Sequence, residues 1–152
     1  KAEVRKVLLD VLDNAELRSR ERAWAAVCLG LQQDTEAIKP LWERLSKEYK
    51  GKDKLNLPAG ILCGLGLIGD SSILPQLEDA LKTGQIEGKE VNDRIRAYVA
   101  YAIGKIGNPE SLDTLMASLK SRSIGRAVKR SIPIANPTAA VVRPPSWPTK
   151  PS

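Results

Sequence analysis

The sequence predicts an all-α solenoid of stacked helical hairpins, and three observations carry that prediction. First, one stretch is written three times: Ala23-Trp24-Ala25-Ala26-Val27-Cys28-Leu29-Gly30, then Ala59-Gly60-Ile61-Leu62-Cys63-Gly64-Leu65-Gly66, then Ala97-Tyr98-Val99-Ala100-Tyr101-Ala102-Ile103-Gly104, with the closing glycines 36 and then 38 residues apart. Second, each glycine leads into a turn closed by Asp34, Asp70 or Asn108, whose side-chain oxygen suits the open N–H groups at a helix start, and Pro109 follows in the favoured first helical position. Third, the segments beyond superpose Ile38, Leu74 and Leu112, then Leu41, Leu77 and Leu115, then Leu45, Leu81 and Leu119, which is one apolar stripe at helical spacing. Two amphipathic helices cannot bury their apolar faces alone, whereas stacked copies share a continuous core.

Taken in order, residues 2–13 place Val4, Val7, Leu8, Val11 and Leu12 on one face, as the second helix of a unit or an N-terminal cap would. The absence of a first helix before it, and a start at Lys1, suggest a fragment of a longer array. Repeat one runs from about Glu16 to Lys47, repeat two from Asn56 to Thr83 and repeat three from Val91 to Ser121. Two insertions, Glu48 to Leu55 and Gly84 to Glu90, each join a second helix to the next first helix and so emerge on one edge of the stack. Beyond Ser121 a fourth copy decays: Ile124, Ala127, Val128 and Ile132 keep a helical stripe, but Pro133 stops the helix and Pro144-Pro145 stops whatever follows. The expected division is a solenoid over residues 1–135 and a Pro-rich basic tail over 136–152, extended or disordered.

Arg94 to Pro109, with Ala102-Ile103-Gly104-Lys105-Ile106-Gly107-Asn108-Pro109 at its heart, and the shorter stretch Leu62 to Asp70 resemble a HEAT repeat of the short kind also found in phycobilin lyases. The resemblance covers roughly residues 17–121. It implies a right-handed α-α superhelix of about three full hairpins plus capping helices, with the second helices forming a concave binding face. It is nearly silent on activity, because such repeats host many unrelated functions.

Composition narrows the chemistry. The chain has no histidine, which removes a Ser-His-Asp triad, a His-bearing zinc site and the His-Glu iron site of the HEAT-repeat hydroxylases that act on deoxyhypusine. Cys28 and Cys63 lie 35 positions apart on first helices of adjacent copies. Packed helices stand roughly 8–10 Å apart and a disulfide wants α-carbons within about 7 Å, so two free thiols are expected, favouring a reducing, cytoplasmic setting. No signal segment is visible, and no apolar run approaches the ~18 residues of a membrane span, so a soluble chain is expected. Neither a metal nor a cofactor is expected. Gly64-Leu65-Gly66-Leu67-Ile68-Gly69 matches the dinucleotide fingerprint, but a helix precedes it where a strand is needed, so its glycines belong to helix packing and the turn. Arg22 and Arg96 share one repeat position, from which they would reach turn carboxylates or carbonyls.

The net charge of +6 is unevenly placed: residues 1–113 hold 17 of the 24 Lys and Arg and all 18 Asp and Glu, and the remaining seven bases lie beyond. Among these, Arg122, Arg126, Lys129 and Arg130 fall on one helical face, a solvated cap or a face for an acidic or phosphate-bearing partner. Nucleic acid is an unlikely partner for a body so nearly neutral. The expected function is a non-enzymatic scaffold for a protein or peptide partner. Glu36, Glu43, Lys47, Gln76, Asp79 and Thr114 face outward on the second helices, and Tyr49, Lys50, Lys52 and Ile86 sit in the two insertions; of these Glu43, Gln76, Asp79 and the four insertion residues are the candidate partner contacts. Trp24, Tyr98 and Tyr101 on first helices and Trp42 on a second read as packing residues with polar tips at the surface. Trp147, flanked by prolines, has no packing role and is unconstrained or a docking point for a partner groove. The alternatives are a chromophore-handling subunit akin to phycobilin lyases, which calls for a polar and aromatic groove, and a nucleic-acid binder akin to the HEAT-like alkylpurine glycosylases, which calls for a basic one.

Overall fold

The computed structural model of the protein describes residues 1–48 and 55–120. Seven α-helices follow one another there: α1 (Ala2–Asp13), α2 (Ser19–Leu31), α3 (Ile38–Glu48), α4 (Asn56–Ile68), α5 (Leu74–Thr83), α6 (Asp93–Ile106) and α7 (Leu112–Lys120). A two-stranded hairpin, β1 (Gln85–Ile86) and β2 (Lys89–Glu90), interrupts the series between α5 and α6. The architecture is an all-α helical repeat, as the three copies predict. The expected boundary at residue 135, the basic set Arg122, Arg126, Lys129 and Arg130, and the Pro-rich tail lie outside the described residues, as does the first insertion with Tyr49, Lys50 and Lys52.

Each repeat turns by the same device. Asp34, Asp70 and Asn108 accept hydrogen bonds from the backbone N–H two residues on, at Glu36, Ser72 and Glu110, opening a single 3-10 turn that runs into α3, α5 or α7. The Ser72 hydroxyl and N–H together hold the Asp70 carboxyl below the usual carboxylate range. Just before the cap the chain must pass through the left-handed region, and Gly69 (φ 75°) and Gly107 (φ 75°) do so without a steric penalty. In repeat one the same position is Gln33, at φ 51°.

The first helices α2, α4 and α6 form one row, with α4 packed tightly between the other two. Glycine makes that approach possible. A methyl group built on Gly30 would lie 2.5 Å from the Gly64 carbonyl oxygen, one on Gly60 2.6 Å from the Ala23 Cβ, and one on Gly66 2.9 Å from the Ala102 Cα. A methyl on Gly64 would overlap the Ala26 carbonyl oxygen. Of the glycines that imitate a dinucleotide fingerprint, Gly64 and Gly66 are therefore contact surfaces of α4, and Gly69 makes the turn. The second helices pack onto the next first helix, α1 on α2, α3 on α4 and α5 on α6, so α1 takes the part of a second helix. Arg22 donates to the Leu12 carbonyl at 2.7 Å and Arg96 to the Leu81 carbonyl at 2.9 Å. The shared repeat position thus ties α2 and α6 to the end of the second helix before each, while in α4 it is Pro58.

Leu12, Leu29, Leu41, Leu45, Leu57, Leu62, Leu65, Leu77, Leu81, Ile61, Ile95 and Ile103 are buried in one continuous core between the two rows, each burial stabilising by roughly 1.5–3 kcal/mol. The expected stripe departs from this on α7. Leu112 is 59 % and Leu119 47 % exposed, where the equivalent Leu74 and Leu81 are buried. Among the described residues no further first helix packs on α7 as α4 packs on α3, and its apolar edge stays uncovered.

Candidate functional site

Two recesses on opposite rows of the stack concern function. The first lies on the second-helix face and is built by the second insertion. Glu87-Gly88, both at positive φ (49° and 74°), form the two-residue turn of a hairpin that pairs Gln85 with Glu90 and Ile86 with Lys89, a backbone geometry that matches the twist of the flanking strands. The hairpin folds back onto repeat one: the Trp42 indole N–H donates to Glu87 Oε1 at 3.0 Å, and Lys89 Nζ donates to the Ser46 carbonyl at 2.7 Å. A segment expected to be a connector is a clamp between α3 and α5.

Under that clamp is a cleft of about 320 Å³ lined by Trp42 from α3, Gln76, Asp79 and Thr83 from α5, and Gln85 to Gly88 from the hairpin. Among the described residues its charged lining residues, Asp79 and Glu87, are both acidic. Of the residues singled out in the sequence, Gln76 and Asp79 meet here. Glu43 and Lys47 stay exposed on α3 outside the lining, and Glu36 pairs with Arg5. Ile86 is a correction. At 1 % exposure it is a core residue, because alternation along a two-residue strand turns Gln85 out and Ile86 in, so it anchors the hairpin and lines the cleft from the core side rather than standing out on the edge of the stack. Trp42 was readable as packing, and its Nε1 bond to Glu87 across 45 residues had no local signal.

The second recess lies on the first-helix face. It measures about 250 Å³ and is lined by Arg20, Ala23, Trp24 and Val27 of α2, Leu55, Asn56, Ala59, Gly60 and Cys63 at and within α4, and Arg94 and Tyr98 of α6. Trp24, expected to pack, is 64 % exposed. Cys28 and Cys63 are both free thiols, as the spacing predicts, and burial pushes the Cys63 thiol up to about 11. Repeat alignment was the signal for this recess: Trp24, Gly60 and Tyr98 share one position, as do Arg20, Asn56 and Arg94.

Among the described residues no group of three or more Cys, Asp or Glu is arranged to hold a metal ion, and no helix is long and apolar enough to cross a membrane. Residues 95–121 match the family described as PBS lyase HEAT-like repeat. Neither the curated proteins nor the solved structures yield a match. The matched span is α6, its 3-10 turn and α7, one hairpin whose turn and cap recur in both copies before it and whose arginine contact recurs in the first. That match supports a HEAT-like repeat over residues 95–121, and the recurring turn and cap extend the same helical-repeat architecture through the copies before it.

Proposed function

We propose that the protein is a non-enzymatic interaction scaffold whose second-helix cleft holds a cationic segment of a partner protein. The observation that supports this reading is the convergence of Trp42, Gln76, Asp79 and Glu87, from three elements and two repeats, on one cleft with acidic charge and an aromatic wall. Two carboxylates and an indole complement a guanidinium or ammonium group electrostatically and by stacking. At about 320 Å³ the cleft sits at the lower end of the ~300–1,000 Å³ that enclose drug-sized ligands, a fit for one or two side chains of a docked segment. The test uses a fluorescent peptide of alternating Arg and Gly, with citrulline in place of Arg as the uncharged isostere. The Arg peptide should bind, and both the citrulline exchange and Asp79→Lys should weaken it about tenfold or more, as loss of a paired charge at an interface does. Equal binding of the two peptides, or no effect of Asp79→Lys at an unchanged melting temperature, contradicts the reading.

The matched family's description supports a second reading, a lyase-like subunit that handles a bilin chromophore. Its test is the absorbance of a free bilin on addition of the protein. A shifted, intensified long-wavelength band would favour it, and an unchanged spectrum leaves the scaffold reading.

A further inference from the structure

We propose that the first-helix face carries a separate binding site, a notch between Trp24 and Tyr98 that takes the aromatic side chain of an acidic peptide, with Arg20 pairing a flanking carboxylate. The notch follows from the repeat itself. Trp24, Gly60 and Tyr98 occupy the same position in three consecutive copies, and α4 lies between α2 and α6. The middle copy therefore supplies no side chain where its two neighbours supply rings. The floor is Ala23, Ala59, Gly60 and Cys63, and the walls are Trp24 and Tyr98.

Gly60 cannot be filled without loss, because its added methyl would meet the Ala23 backbone and Cβ at 2.6–2.8 Å. Tight packing of α4 on α2 and an open slot above it are thus one feature. The slot is predominantly apolar, and burial within it holds the Cys63 thiol neutral through physiological pH.

Charge decides the class of occupant. Arg20 and Arg94 stand one helical turn before Trp24 and Tyr98, at i,i+4, and both line the recess; among the described residues no acidic side chain does. An arginine beside an aromatic wall favours a carboxylate flanking an apolar group over a cation or a neutral one. Volume decides its size: about 250 Å³ falls below the range that encloses a drug-sized ligand and suits one aromatic side chain. An indole left 64 % exposed beside such a slot has the character of an interface anchor. The same logic sets this site apart from the acidic cleft on the opposite row, and it stands whether or not that cleft binds.

The experiment uses the full chain and a fluorescein-labelled peptide Glu-Asp-Phe-Asp-Glu, read by anisotropy. The Phe peptide should bind. Replacing its Phe by Ala, or its acids by Gln and Asn, should each weaken binding about tenfold or more. Trp24→Ala and Arg20→Glu change exposed side chains, so both should keep the melting temperature while losing about tenfold or more in affinity. Absence of binding at millimolar peptide, equal binding by the Ala peptide, or an unaltered affinity in Trp24→Ala would overturn the proposal. Tight binding of a Lys-for-acid peptide would overturn the assigned charge.

Discussion

Gln33 is the residue at which this chain departs from its own rule. The turn position it shares with Gly69 and Gly107 requires a left-handed backbone, which costs a residue with a Cβ roughly 1–2 kcal/mol. Gln33→Gly removes that cost, and the side chain lost is an exposed one. We predict a gain of about 1 kcal/mol, read as a higher urea midpoint at unchanged slope; a loss would show that Gln33 contributes through its side chain. A second prediction concerns Cys63. Burial lifts its thiol from an ordinary value of 9.0 to about 11, so below about pH 9 it is neutral in both folded and unfolded chains. Between about 9 and 11 the unfolded chain releases a proton that the folded chain keeps, and stability falls as pH rises. Compared with Cys63→Ala, the wild type should therefore lose more stability between pH 8.5 and 10.5 in paired urea titrations, and equal losses would count against a buried thiol.

At the scale of elements, the glycines of the first helices decide how the repeats stack. Gly64 meets the backbone of α2, whereas around the position of an added methyl on Gly104 no atom of the described residues lies within 4 Å. The same substitution should then act with opposite signs. Gly64→Ala forces α2 and α4 apart and should cost about 1–3 kcal/mol or more; Gly104→Ala should gain about 0.5–1 kcal/mol from helix propensity. Thermal melts of the two variants check this, and a loss at Gly104 would report another helix seated on that face. The helices, their caps and the glycine contacts were legible because each follows from local rules repeated three times. The hairpin was not, because Glu87 is an unusual residue at positive φ and the bonds that fix it, to Trp42 and Ser46, come from 43–45 residues away. The burial of Ile86 was not legible for the same reason: it depends on which side of the hairpin faces the core, and four strand residues carry too short an alternation to say.

For the molecule as a whole, the stack puts two rows of helices back to back and gives each row its own recess, acidic on the second-helix face and cationic at its rim on the first-helix face. Net charge conceals this, since a body with 17 bases and 18 acids reads as neutral. The candidate site was half legible: Gln76 and Asp79 could be placed outward by helical periodicity, while Trp42 and Glu87 join them only through the fold. The central claim is that partners dock in the cleft clamped by the hairpin. Its most direct test is hydrogen–deuterium exchange of the full chain with and without the Arg-Gly peptide. The account predicts slowed exchange confined to the amides of α3, α5 and residues 83–90. Protection that appears instead on α2, α4 and α6, with residues 83–90 unchanged, would contradict it.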